Sequence, residues 1–322
     1  MERLITTHTL RKTCQPTPLW QLTAPQQLGT EKLLMAVPGV WQGHARMDGF
    51  RGVGTYTKEM TLAGNVRFLF GGAGGAARVF LDGQELLQEK AADGSFACLV
   101  EGLDWGKHCL RVDVDSSRGD VDCGGLTRPV TVEQLGSAWL RKLHAEPFRQ
   151  GRLWKLRVQA EVSSLCEEDQ QVEVELKAAG VELRWRGKHL PARGTLTLTG
   201  ELPMLGVKSW EPARPVLYPL HAVLWQEGVP ADDLMERIGF REAPEALLRG
   251  CEPEDFLPDE GAPLTELVQQ VQQLKTRGCT AVRLPWHACA PRLLDLCDQC
   301  GLLVLPQGGA AEAPLHPCVV QA

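Results

Sequence analysis

NVRFLFGGAGGAARVFLDG, residues 65–83, sets the architecture of the first third of the chain. Asn65 to Phe70 reads as a strand, Gly71 to Gly75 as a glycine-rich turn, and Ala77 to Leu81 as a second strand. That strand runs into Asp82-Gly83, a strong signal for a tight turn between two strands. Working outward, Thr55 to Met60 (TYTKEM) leads into this stretch. Ser95 to Val100 (SFACLV) and His108 to Val114 (HCLRVDV) follow it, joined by a polar turn around Trp105-Gly106. Short strands separated by Gly and Asp turns predict an antiparallel sandwich or jelly roll ending near Asp122. The run Gly71-Gly72-x-Gly74-Gly75 lacks the following Lys-Ser/Thr and the helix of a phosphate loop, so it is a turn.

Gly124 to Val132 (GGLTRPVTV) reads as a linker into a second β region. There, Leu153 to Val162 alternates imperfectly, whereas Gln171 to Leu176 (QVEVEL) alternates cleanly with Val172, Val174 and Leu176 on one face. Val181 to Trp185, Gly194 to Leu198 and Leu217 to Trp225 complete a pattern suited to an immunoglobulin-like sandwich. After Pro263 the period changes. Leu264, Leu267, Val268, Val271 and Leu274 form the stripe of an amphipathic helix, ended by Arg277-Gly278. Thr280 to Leu284 is a short apolar strand, Pro291 to Gln299 a second helix stopped at Gly301, and Leu302 to Leu305 a second apolar strand. This order is βαβ logic with a parallel sheet. The expected architecture is mainly β: a galactose-binding-like jelly roll over 1–123, an immunoglobulin-like sandwich over 124–243, and a partial, truncated (β/α)8-barrel segment over 244–322.

The net charge of -6 in 322 residues offers no basic field, which argues against a nucleic-acid partner. No run of 18 apolar residues is present and the N-terminus lacks an apolar signal region, so neither a membrane partner nor secretion is expected. The 11 cysteines are scattered rather than paired at framework spacings, in keeping with buried thiols in a reducing cytoplasm.

The residues together resemble the glycoside hydrolase family 2 enzymes, the β-galactosidase and β-glucuronidase group. The resemblance rests on Val37-Pro38-Gly39-Val40-Trp41, Gly52-Val53-Gly54-Thr55-Tyr56, Ala77 to Gly83, and Gly124 to Val130. It continues in Trp210-Glu211-Pro212 with Pro215 to Tyr218, in Ile238 to Glu242, and in Leu274 to Pro285 with Leu293 to Leu305. It implies a jelly roll, an immunoglobulin-like sandwich and a catalytic barrel that hydrolyses O-glycosyl bonds with two carboxylates about 5 Å apart. In such enzymes the acid/base carboxylate lies in an Asn-Glu dipeptide on a later barrel strand. This sequence contains no Asn-Glu, and its only asparagine is Asn65. No catalytic residue is therefore assigned.

The surviving barrel portion departs from the family pattern as well. The resemblance implies Arg-x-Ser-His-Tyr-Pro after the early strand, and the chain has Arg283-Leu284-Pro285-Trp286-His287. Arg283 keeps the family arginine, while Trp286 takes the histidine position. The next strand ends in Pro306-Gln307 instead of Asp-Glu, and the loop opening the barrel is replaced by Arg249 to Gly261. Arg283, Trp286 and His287 are the candidate ligand-binding residues, because barrel sites form where parallel strands end. An unpaired Arg283 is expected to bond Asp295 or Asp298.

Cys297-x-x-Cys300, with Cys289 and His287 near, is too weak a pattern for zinc or redox chemistry. Neither a metal nor another cofactor is expected. The acidic group Glu252, Glu254, Asp255, Asp259 and Glu260 is broken by Pro253 and Pro258 and reads as a solvated linker. Trp41 and Trp105 are a conceivable carbohydrate platform on the jelly roll. Three functions follow: a degenerate glycosidase-like protein without its catalytic pair, a glycosidase completed by a partner chain or a second copy, and a glycan-binding or structural sandwich. A carbohydrate is the implied ligand of the first two and of the binding form of the third. An apolar edge exposed near Leu305 would favour the second, and removal of Pro263 to Ala322 is expected to leave the sandwiches intact.

Overall fold

The computed structural model describes residues 10–89, 95–117, 124–241, 253–256, 264–285, 291–307 and 316–319. The chain divides into two compact units: Lys12–Leu135 with Asp259–Ala262, and Met1–Arg11 with Gly136–Pro258 and Pro263–Ala322.

The unit of Lys12–Leu135 is the jelly roll. Its elements are β1 (Lys12–Cys14), β2 (Leu19–Thr23), the helical turn α1 (Pro25–Leu28), β3 (Lys32–Ala36), β4 (Val53–Phe70), β5 (Ala76–Leu81), β6 (Gln84–Glu89), β7 (Phe96–Asp115) and β8 (Val130–Leu135). They pair in the order β1-β8-β4-β7-β5-β6, with β2 and β3 attached through β4. Alternation fills the core: Val66, Phe68 and Phe70 of β4 and Leu110, Val112 and Val114 of β7 belong to one cluster, all essentially inaccessible to solvent.

Two sequence expectations change here. Thr55 to Met60 and Asn65 to Phe70 are halves of the single strand β4. Likewise Ser95 to Val100, except for Ser95 itself, and His108 to Val114 lie within β7, and Trp105-Gly106 is not a turn, since Gly106 pairs with Leu62. The cause is a pair of bulges. Gly64 and Gly102 adopt φ of 66° and 64°, and the ladder slips on both sides of Gly64. A bulge bends and twists a strand without ending it. The stretch read as a linker, Gly124 to Val132, also runs into a strand, because β8 pairs with β4 over six residues from Asn65↔Leu135 to Phe70↔Val130.

In the other unit, β9 (Ala138–Gln150), β10 (Leu153–Ser164), β11 (Gln170–Ala178), β12 (Val181–Leu190), β13 (Thr195–Met204), β15 (Tyr218–Gln226) and β16 (Val229–Ile238) build the immunoglobulin-like sandwich. Its sheets run β13-β10-β9 and β12-β11-β15-β16. Leu156, Val158, Ala160 and Val162 of β10 and Val172, Val174 and Leu176 of β11 supply the core. The short strands β14 (Ser209–Trp210) and β17 (Phe240–Arg241) pair in parallel at one end. Strands β9 and β16 carried no readable alternation. β9 contains Pro147, which pairs with Leu156 within the ladder, and β16 buries two consecutive acids, Asp232 and Asp233, at 3% and 1% exposure.

The same unit holds the parallel segment: β18 (Glu254–Asp255), α2 (Leu264–Thr276), β19 (Ala281–Pro285), α3 (Pro291–Cys300) and β20 (Leu303–Gln307). The predicted helix stops hold, with Gly278 and Gly301 at φ of 83° and 68°. The sheet order is β18-β19-β20, an unclosed fragment of barrel type. Glu254 and Asp255, read as linker, are its first strand. The edge of β20, expected to be exposed, is occupied at Val304 instead. Val304 bridges Val319 in parallel, and its N–H donates to the Cys318 carbonyl at 2.8 Å.

Candidate functional site

Strand β19 alternates between two environments: Val282 and Leu284 are fully buried, while Arg283 and Pro285 are partly exposed. Parallel pairing puts Asp255 of β18 on one side of Arg283 and Leu305 of β20 on the other. The Arg283 guanidinium donates from Nη1 to Asp255 Oδ1 at 3.3 Å. The expected partners Asp295 and Asp298 are not the ones used, and Asp298 is engaged by His316. Sequence reading missed Asp255 because a two-residue strand has no periodicity to detect. Its pair with Arg283 is open to water, with side-chain exposures of 42% and 82%. Such pairs are worth little. Trp286 and His287 lie outside the described residues. The neighbouring Glu254 binds Arg277 Nη2 at 3.0 Å, which commits it to the helical side of the segment.

The Trp41 half of the proposed carbohydrate platform is overturned. Trp41 is fully buried, and its Nε1 donates to the Tyr56 hydroxyl at 2.7 Å. Burial pushes the Tyr56 phenol up to about 12, against the lowering effect of that bond. The indole lies between two glycines: a Cβ at Gly54 would come within 2.4 Å of Trp41, and one at Gly124 within 2.2 Å. The Trp41 N–H donates to Gly124 O at 2.8 Å, and the Gly39 N–H to Leu126 O at 2.9 Å. Three of the stretches that carry the family resemblance, at 37–41, 52–56 and 124–130, are therefore one packed knot in the jelly roll. Trp105 is the exposed member, at 81%.

A second knot lies in the other unit. Trp210 is fully buried, and its Nε1 donates to the Asp298 carbonyl at 2.8 Å. A Cβ at Gly301 would meet Pro212 O at 2.2 Å, and one at Gly239 would meet Pro317 Cγ at 2.6 Å. The Trp210-Glu211-Pro212 and Ile238-Gly239-Phe240-Arg241 stretches thus join the end of the sandwich to the parallel segment.

Asp295, Asp298 and His316 bring ligand-type atoms within 4.8 Å of one another. Their geometry is that of a hydrogen-bonded pin. His316 Nδ1 is 2.6 Å from Asp298 Oδ2, and Asp298 Oδ1 accepts the Cys318 N–H at 2.8 Å. Cys297 is fully buried in α3, and burial raises the Cys300 thiol above its ordinary range. A raised thiol is the opposite of what a nucleophile or redox cysteine needs. Among the described residues, no helix is long and apolar enough to cross a membrane.

Comparison with known proteins agrees with this geometry. Residues 140–241 match the family Glycosyl hydrolases family 2. No curated protein sequence matches the chain. Among solved structures, a GH2 beta-galacturonidase from Eisenbergiella tayi bound to galacturonate superposes with a TM-score of 0.82 at 26% identity, covering 95% of this chain and 59% of its own. Bacteroides uniformis beta-glucuronidase 2 gives 0.82 at 17% identity, with 96% of this chain and 46% of its own. Beta-D-mannosidase from Dictyoglomus thermophilum gives 0.77 at 15% identity, with 96% and 51%. The chain spans about half the length of these enzymes. Residues 140–241 thus match glycosyl hydrolases family 2, and over its two sandwiches and unclosed parallel segment the chain has the fold of these enzymes.

Proposed function

We propose that the chain is a family 2 glycosidase-like protein that does not hydrolyse glycosides on its own. The observation that supports this reading is the pairing of the carboxylates on the strands of the parallel segment. Among the described residues of the three strands β18, β19 and β20 themselves, the carboxylates are Glu254, bonded to Arg277, and Asp255, bonded to Arg283. A retaining mechanism needs an acid/base and a nucleophile about 5 Å apart across the sugar. The Asn-Glu dipeptide that would carry the acid/base is missing from the sequence. The implied ligand is a glycoside, with Arg283 and the adjoining Trp286 and His287 as its contacts. An Arg is suited to a sugar carboxylate, and relatives acting on galacturonate and glucuronate fit that chemistry.

The test is hydrolysis of aryl β-D-glucuronide, galacturonide, galactoside and mannoside by micromolar protein. The expected result is no turnover above buffer. Turnover that co-purifies with the chain through a second column would overturn the proposal and leave the alternative, a glycosidase whose carboxylates come from a partner chain. The occupied edge of β20 at Val304 weighs against that alternative, because an added strand would have to displace residues 317–319. A purely glycan-binding role, with Trp105 as the stacking surface, would show as sugar affinity without turnover that Trp105→Ala removes.

A further inference from the structure

Residues 316–319 are held by bonds from three elements, β20, α3 and β17. Val304 of β20 donates its N–H to Cys318 O. From α3, Asp298 accepts the Cys318 N–H and pairs with His316, and the Leu294 carbonyl lies 3.6 Å from Cys318 Sγ. From β17, Arg241 Nη1 donates to Pro317 O at 2.8 Å and also to Val319 O. Pro317 sits against Gly239, where no Cβ would fit. Cys318 is fully buried, and the His316 side chain retains 20% exposure. Among these contacts the His316–Asp298 pair is the one whose strength depends on a proton.

We propose that residues 316–319 form a protonation-controlled clip. With its imidazole protonated on Asp298, His316 locks the segment on the edge of β20; loss of that proton loosens the segment and frees the edge. The groups facing the imidazole are mostly acidic. Asp298 and Asp295 come from α3 and Glu236 from β16, with the Cys318 thiol beside Asp298 and the Arg241 guanidinium of β17 opposing them. Burial alone would lower the His316 pKa, but the Asp298 bond and the Asp298, Asp295 and Glu236 charges outweigh it and the net direction is upward. A histidine raised in the docked state adds stability that is complete below its free pKa and is lost as the pH rises through the docked one. The clip is therefore tight below the ordinary histidine pKa and loosens as the pH rises through the raised one.

The experiment is maleimide labelling of the full chain at about pH 6 and pH 8, read by peptide mass spectrometry. The exposed Cys14 and Cys109 correct for the pH dependence of thiol reactivity, and the buried Cys98 of the jelly roll reports global opening. The expected result is a several-fold rise in Cys318 labelling relative to Cys14 at the higher pH, with Cys98 unchanged. His316→Gln is expected to abolish the pH dependence. An unchanged Cys318 ratio, a parallel rise of Cys98, or a pH dependence that survives in His316→Gln would each overturn the proposal. If His316→Gln does not fold, hydrogen exchange of the 303–307 peptide in the unaltered chain decides. Protection lost at the higher pH, after correction for the intrinsic rate, supports the clip; retained protection overturns it.

Discussion

Arg11 and Asp232, 221 positions apart, form a buried two-point ion pair: Nε to Oδ1 at 2.9 Å and Nη2 to Oδ2 at 2.5 Å. Both groups make further bonds. Arg11 Nη2 also donates to Leu140 O, and Asp232 Oδ2 accepts the Leu140 N–H. The adjacent Asp233 accepts the N–H groups of Leu10 and Arg11 and lies 2.9 Å from His221 Nε2. The segment preceding the jelly roll is thereby fixed to the immunoglobulin-like sandwich. Arg11→Ala would leave Asp232 buried without its countercharge, a change that typically costs about 3–5 kcal/mol. Urea denaturation followed by Trp fluorescence checks this, and a loss below about 1 kcal/mol would show that water replaces the guanidinium. Arg11→Lys is expected to recover only part of the loss, since a point charge cannot reproduce the two-point geometry.

The Trp41 knot predicts a steep response to one methyl group. Gly124→Ala places its Cβ into the indole, and overpacking of this kind costs about 1–3 kcal/mol. Tyr56→Phe removes the acceptor of the buried Trp41 indole N–H, with a cost of about 1–3 kcal/mol. Thermal melts of both variants, and of Gly29→Ala as a positive-φ control with nothing within 4 Å of its Cβ, separate crowding from backbone strain.

Removing residues 263–322 is now expected to weaken the second sandwich, contrary to the expectation from sequence. Trp210 would lose the Asp298 carbonyl, and Arg241 would lose the Pro317 and Val319 carbonyls. A lower melting temperature for the immunoglobulin-like sandwich, with little change in the jelly roll, is the expected outcome by differential scanning calorimetry. Identical sandwich transitions in both chains would mean that the parallel segment is dispensable.

The Asp82-Gly83 turn carries its own titration. Asp82 accepts the Cys109 N–H at 2.8 Å and lies 2.7 Å from His108 Nδ1. These bonds, the backbone one first, lower Asp82, while the Asp82 bond and then the Asp104 carbonyl raise His108. The His108 contribution is complete below its ordinary pKa and fades as the pH rises through the raised one; the Asp82 contribution is lost in acid as the carboxylate protonates. An NMR titration is expected to place His108 above an ordinary histidine and to return it toward that value in Asp82→Asn. No difference between the two proteins would remove the pair as the cause.

The sequence by itself determined the order of the architecture. Local signals were enough where the period was clean and turns were marked: Asp82-Gly83, the alternation of Val172, Val174 and Leu176, and the stripe from Leu264 to Leu274 closed by Gly278. It also established that no Asn-Glu is present, which is a property of composition and needs no coordinates. Tertiary structure decided the rest, because those features depend on partners far along the chain. Two bulges at Gly64 and Gly102 turned four expected strands into two. Strand β16 hid its nature because Asp232 and Asp233 face inward toward Arg11, a pairing no local pattern encodes. Trp41 read as a possible surface residue until Gly54 and Gly124 closed around it. Asp255 became the neighbour of Arg283 only through parallel pairing of a strand too short to have a period. Periodicity reports which face of an element is buried; it does not report what is packed against that face.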